Sequence, residues 1–288
     1  MGRSTTKEPP SCARDDYNPG WPMQYIHWLI VISVGFALLE RVRPARPRQG
    51  FWRRQLVNDV FYLLFNGHFY ALLSASLVGW TTLRVRDLLA TVELLPEAGW
   101  LGAQPFGLQF VVYFVVADFL QWSIHVLLHR VPMLWQFHKI HHSIHTMDWA
   151  GNFRFHWAEV VIYRSLLYVP LLFLGAPADV LLGVAVCGTA WGHFNHSNLD
   201  IGLGPLAYLF NSPRMHLWHH DASSEGGHAK NFGIVLSLWD FMFSTAFWPR
   251  DRAPERLGFA DDHEVPTDIG RQLLFPLTKN REPVQDPA

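Results

Sequence analysis

Histidine is the residue of this chain best suited to chemistry. There are sixteen, and most of them gather in short motifs. HVLLH puts His125 and His129 at i, i+4. HKIHH puts His138, His141 and His142 at i, i+3, i+4, and HLWHH repeats that spacing at His216, His219 and His220. HFNH holds His193 and His196. On a helix, residues three and four apart share a face, so each motif aims two or three imidazoles at one point. Neutral imidazole suits iron, zinc, copper and nickel. Eight or more such ligands are too many for one ion, so two metals are expected. His27, His68 and His263 stand outside every motif and read as ordinary side chains.

The elements that must position these histidines are membrane helices. Half of the 288 residues are hydrophobic and 16% are charged, against about 25% charged in a typical soluble domain. A net charge of −1 gives no electrostatic case for nucleic-acid binding. Cys12 lies in a polar tail and Cys187 in an apolar run, so neither a disulfide framework nor a cysteine-rich zinc site is expected. Four apolar stretches stand out: Met23–Glu40, Asn58–Trp80 (weakened by Asn66, Gly67 and His68), Phe106–His129, and Val161–Phe194, which is broken by Gly175–Pro177. The first three approach the roughly 20 residues that a bilayer requires. The halves of the fourth are short for full spans and read as a hairpin that enters the membrane and returns to the same side.

Arg41, Arg43, Arg46, Arg48, Arg53 and Arg54 follow the first stretch. By the positive-inside rule this segment is cytoplasmic and the N-terminus lies on the opposite side. The second span leaves, the third returns, and the chain from His125 onward is cytoplasmic. The expected fold class is all-α: an integral-membrane helical bundle with a cytoplasmic, histidine-lined dimetal domain. Residues 1–20 read as a disordered tail without a cleavable signal pattern, 21–249 as the membrane-embedded domain, and 250–288 as a polar tail whose QLLFPL turn (Gln272–Leu277) packs on that domain.

With its three-part histidine pattern, HSN at His196–Asn198, and KNFGIVLSLWDFMFST at Lys230–Thr245, the sequence resembles the fatty acid hydroxylase/sterol desaturase superfamily of integral-membrane diiron oxygenases. The likeness runs from about Trp52 to about Pro249. It departs from the family pattern at Val126, where a basic residue is usual, at Trp157 in RFHWAE, where proline is usual, and at Ser244, where glycine is usual.

The resemblance implies two iron ions, O2 as co-substrate, two electrons, and attack on a C–H bond of a lipid. Zinc could substitute for iron during overexpression, since imidazole accepts both. Hydroxylation is the expected outcome and desaturation the alternative on the same site. Candidate substrates are a fatty acyl lipid, an aminolipid, a sphingoid, a sterol or a carotenoid. A membrane metal transporter or sensor is the alternative of a different class. Transport sites lie near the bilayer midplane, whereas these motifs fall at and beyond the span ends.

His125, His129, His138, His141, His142, His196, His216, His219 and His220 are the expected ligands. His156 and His193 are expected as ligands or as hydrogen-bonding supports of ligands, and His145 and His228 are weaker candidates. Asp118, seven residues before His125 and within an apolar run where a carboxylate is costly, is expected with Glu159 and Asp240 to orient ligands. Asn198 and Asn231 are expected to fix loops beside the metals. The sequence has no dinucleotide fingerprint, no CxxCH motif, no iron–sulfur cysteine set and no recognisable heme region. The electrons are therefore expected from a separate cytochrome b5-like protein, ferredoxin or reductase.

Overall fold

The computed structural model describes residues 21–91, 100–223 and 230–278. The N-terminal tail, residues 1–20, and His228 lie outside the described residues. The described residues form helices joined by turns and loops. Their β pairing is confined to isolated bridges at Pro44–Leu199, Phe210–Leu236 and Asp221–Leu257.

Two of the helices are long and apolar enough to cross a membrane: α1 (Trp21–Val42), over Gln24–Val42, and α4 (Phe106–Arg130). The expected second span, Asn58–Trp80, is not one regular helix. α2 (Leu56–Leu64) runs into a π turn at Phe65–Phe69, and α3 (Tyr70–Thr91) continues beyond it. The cause is Asn66. Its buried side-chain amide donates to the carbonyls of Phe153 (3.0 Å) and Phe155 (2.8 Å), and the widened turn docks on that loop. Such π turns recur where a helix serves a site.

α4 and α5 (Pro132–His142) meet at a sharp corner. Val131 is extended (φ −91, ψ 112), because a residue before proline is steered out of the helical region. Pro132 then opens α5 at no cost, since the first turn leaves its N–H unpaired anyway. The corner brings the last turns of α4 against α5. α6 (Trp157–Phe173) and α7 (Ala178–His196) form the hairpin, turning at Gly175, whose φ of +81 suits glycine. Tyr113, Ala117, Ile124 and Leu128 of α4 pack with Leu167 and Leu171 of α6 and Val180 and Val184 of α7 as the main core.

The remaining pieces close over the end of this bundle. α8 (Pro213–His219) packs against α7. α9 (Leu238–Met242) follows a loop held to α4. α10 (Ile269–Leu274) leads to Phe275, which joins Phe259, Val265, Tyr62 and Ile140 in a second core cluster.

The Arg-rich segment after α1 lies on the same face as these closing pieces. Ala45 N–H donates to the Asn198 carbonyl (2.8 Å) and Arg46 to the Met147 carbonyl (2.7 Å). α1 and α4 thus both end at one face, and α2 with α3 supplies the intervening return. Side chains such as Val31, Val34 and Leu38 on α1, Leu73 and Leu77 on α3, and Val111 on α4 remain exposed. An apolar belt of this kind belongs in lipid, and the protein is an all-α membrane protein.

Candidate metal centre

Four elements deliver histidines to one place. The last turns of α4 carry His125 and His129. α5 carries His138, His141 and His142, α7 ends on His196, and α8 carries His216 and His219, with His220 at its C-terminus. The structure sorts these nine into two groups: His125, His129, His138, His142 and His219 in one, and His141, His196, His216 and His220 in the other. Within each group the ring nitrogens lie within 4.8 Å of one another.

Each HxxHH motif is divided between the groups in complementary fashion. His138 and His142 of α5 serve the first group and His141 the second. His216 and His220 serve the second and His219 the first. Residues four apart share one stripe of a helix while the residue between them points aside, so one short helix can contribute to both ions.

The donors fit a metal. His196 Nε2 is 3.2 Å from His141 Nε2 and 3.3 Å from His216 Nε2, close to the roughly 3.0–3.4 Å spacing of two nitrogens that share an ion at about 2.1 Å. Both ring nitrogens of His142 and of His220 are buried without a hydrogen-bond partner, an unfavourable state for polar atoms that an ion would relieve at the one nitrogen of each ring it binds. Burial, followed by the neighbouring imidazoles, holds His141, His142, His216 and His220 well below the usual histidine pKa. They are neutral, the form that ligates.

On the far side of the rings, Nδ1–H groups are anchored. His125 donates to the Phe232 carbonyl (2.8 Å), His196 to the Gly192 carbonyl (2.8 Å), His219 to the Lys230 carbonyl (2.7 Å), and His138 to Glu159 Oε1 (2.7 Å). Such partners fix the tautomer that turns Nε2 inward. The three carbonyl partners carry no signal in residue type and could not be picked from sequence. Aromatic rings wall the groups: Phe155 stacks on His141 at 4.5 Å, Trp135 lies against His129 and His142, and Phe232 lies against His125, His129 and His219.

Other expected site residues lie elsewhere. His156 and His193 stand outside both groups because their ring nitrogens are engaged. His156 Nδ1 accepts from Ala158 N–H (3.1 Å) and its Nε2 donates to the Leu273 carbonyl (3.0 Å). His193 Nδ1 accepts from the Asn152 amide (2.9 Å) and Nε2 pairs with Ser33 Oγ (3.1 Å). His145 also stands apart, half-exposed, on Asp262 at 3.1 Å.

Of the expected orienting carboxylates, Glu159 alone touches a ligand. Asp118 instead accepts from the Val235 and Leu236 N–H groups (both 3.1 Å) and from Trp239 Nε1 (2.9 Å), tying the 235–239 loop to α4. Asp240 accepts from the N–H groups of Phe232 (2.9 Å) and Gly233 (2.8 Å), and so holds the peptide whose carbonyl takes His125. Asn231, at φ +54, donates to the Met215 and Phe247 carbonyls. Asn198 pairs with the Arg46 backbone (3.0 Å). Sequence reasoning passed over one arrangement entirely: a buried ion network in which Arg154 and Arg53 share Asp59, and Arg53 also pairs with Asp148 (2.5 Å).

Comparison with known proteins adds a second line of observation. Residues 110–245 match the family model described as fatty acid hydroxylase. Ornithine lipid hydroxylase OlsE of Rhizobium tropici is 34% identical over 180 residues, covering 62% of this chain and 54% of its own length. Human alkylglycerol monooxygenase is 28% identical over 132 residues, 46% of this chain and 29% of its own length. A very-long-chain aldehyde decarbonylase of Oryza sativa subsp. japonica is 28% identical over 155 residues, 52% of this chain and 48% of its own. The chain thus spans about half or less of the length of these relatives. No solved structure matches it.

Proposed function

From the match of residues 110–245 to the fatty acid hydroxylase family model and the likeness to a lipid hydroxylase, we propose that this chain is a membrane-bound dimetal oxygenase of that family that hydroxylates a C–H bond of a lipid. The observation that carries this reading is the pair of adjacent, buried, all-histidine groups, five and four strong. Two iron ions held there would supply what side chains alone cannot: reductive activation of O2 to break an unactivated C–H bond.

The chain's own residues prepare that chemistry. Glu159 and the carbonyls of Phe232, Gly192 and Lys230 hold the imidazoles in one tautomer. Burial keeps His141, His142, His216 and His220 neutral at physiological pH. Trp135, Phe155 and Phe232 keep water from the rings. Hydroxylation is preferred to desaturation because two of the relatives are by name a hydroxylase and a monooxygenase. Metal transport is disfavoured because the groups sit at the ends of α4 and α7 under an aromatic wall, not in a broken helix at mid-membrane.

The histidine face and the C-terminus are assigned to the cytoplasm and the N-terminus to the opposite side, in a multi-pass topology, because the Arg-rich segment shares that face. The electron donor, a cytochrome b5-like protein, ferredoxin or reductase, docks there. Comparative lipid mass spectrometry of cells with and without the protein tests the reading. A lipid gaining one oxygen atom is expected. Loss of two hydrogens would replace hydroxylation by desaturation, and an unchanged lipid profile despite a loaded centre and a competent donor would overturn the oxygenase.

A further inference from the structure

At the Arg-rich end of α1 lies a cavity of about 160 Å³ that the metal centre does not use, lined in part by Glu40, Arg41, Phe51, Asp148, Trp149 and Asn198. Its two carboxylates differ. Asp148 is neutralised by Arg53, whose Nε and Nη2 reach its oxygens at 2.5 and 2.6 Å. Glu40 has no such contact: Arg46 and Arg53 act on it only from beyond ion-pair distance. Its Oε1 accepts the backbone N–H groups of Trp149 (2.9 Å) and Asn198 (2.8 Å), and the side chain lines the cavity. A carboxylate with no cation in contact, in a cavity that Trp149 also lines, is a receptor for an ammonium group, since carboxylate and aromatic face both attract a cation. At the rim the exposed Arg41 guanidinium stacks over Phe51 at 4.3 Å and offers an anion its fork of donors.

We propose that this cavity binds the headgroup of a zwitterionic lipid, its ammonium on Glu40 and its anionic group on Arg41. The proposal deepens the lipid-oxygenase reading above, naming its substrate class, and rests on that reading. The source of the zwitterion is argued from position. The span Gln24–Val42 ends at the cavity, so the opening lies where hydrocarbon gives way to headgroups. Trp52, 87% exposed, stands beside it as an interfacial aromatic. Leu38, Val34 and Val31 precede Arg41 by three, seven and ten residues, on the same stripe of α1, and all are more than half exposed. They form an apolar track along which acyl chains lie while the headgroup occupies the cavity. The metal centre is near: the Trp149 ring is 5.6 Å from that of His193, one helical turn before His196, and Asn198 follows His196 by two residues.

The test is calorimetric titration of the full-length, metal-loaded protein in detergent micelles with phosphatidylethanolamine, phosphatidylglycerol and soluble phosphoethanolamine. Saturable binding is expected for phosphatidylethanolamine and much weaker binding for the other two. Glu40→Gln keeps an amide oxygen for the Trp149 and Asn198 N–H groups and loses the charge, so it should weaken phosphatidylethanolamine binding by about tenfold or more. Arg41→Ala, at an exposed position, should weaken it severalfold. Metal content is measured on each variant, and if Glu40→Gln loses metal, Arg41→Ala decides alone.

Equal affinity for phosphatidylglycerol, or unchanged binding in a variant that retains its metal, would overturn the site. Phosphoethanolamine binding as tightly as the lipid would overturn the lipid assignment in favour of a free zwitterion. His219→Ala separates this inference from the oxygenase reading: it should abolish turnover and leave headgroup binding intact. If the wild-type protein oxidised no lipid while this binding pattern held, the oxygenase reading would fall and the headgroup site would stand.

Discussion

At the scale of the residue, what fits a histidine here to ligate a metal is what its second nitrogen does. His138 gives its Nδ1–H to Glu159 at 2.7 Å, which leaves Nε2 for the metal. Glu159→Ala removes that acceptor, and losses of such partners cost about 10–100-fold in metal affinity. Competition with a chelator during iron loading measures the change, and Glu159→Gln should recover much of it because the amide oxygen still accepts. The reverse case is His193, whose nitrogens are both spent on Asn152 and Ser33. His193→Ala should keep its metal stoichiometry and lose about 1–3 kcal/mol of stability from the stranded partners. His196→Ala, three residues on, should empty the four-histidine group. Metal analysis of the two folded proteins compares them directly, and equal metal loss in both would mean that His193 is a ligand after all.

At the scale of the element, the centre depends on how loops are pinned to helix ends. Gly192 shows the tolerance. A Cβ there would meet Asn152 Oδ1 at 2.4 Å, so glycine lets the 149–153 turn press onto α7 where the Gly192 carbonyl holds His196. The second pin is the buried ion network. Arg154 and Asp59 are both fully buried. Arg154 also donates to Gln55 Oε1 (3.0 Å), and so ties the segment after α5 to α2. Arg154→Met strands the Asp59 charge against Arg53 alone. Breaking a buried pair from one side costs about 3–5 kcal/mol, so thermal unfolding in detergent should show a large loss. Asp59→Asn combined with Arg154→Met should recover part of it. A wild-type melting temperature for Arg154→Met would remove the network from the fold's supports.

At the scale of the whole molecule, the helices act as a scaffold that stands in lipid and presents its two histidine groups at one face. α1 and α4 end together there, and the Arg-rich segment, the two histidine groups and the segment 230–278 meet over that end. Single cysteines introduced near His145 and near the Arg-rich segment should react with an impermeant thiol reagent from the cytoplasmic side only, in a background with Cys12 and Cys187 replaced. Labelling of the two positions from opposite sides would contradict the shared face.

The sequence by itself determined that imidazoles cluster and that the fold is helical. Spacing of three and four on a helix is local geometry, so HVLLH, HKIHH and HLWHH could be read as converging imidazoles, and continuous apolar runs as helices for lipid, without any long-range contact. Which imidazole falls in which group was decided only in three dimensions. The division of each HxxHH between the groups depends on the α4–α5 corner and on where α8 meets α7, and HFNH looked like a pair until Asn152 and Ser33 claimed His193. Asp118 is the plainest case. Its position seven residues before His125 correctly placed it on the same helix face, yet its oxygens go to Val235, Leu236 and Trp239. The backbone donors that claim a buried carboxylate come from segments more than a hundred residues away, and no residue type announces a free N–H group. For the same reason the carbonyls behind His125, His196 and His219, and the cavity that Glu40 lines, belong to the tertiary structure alone.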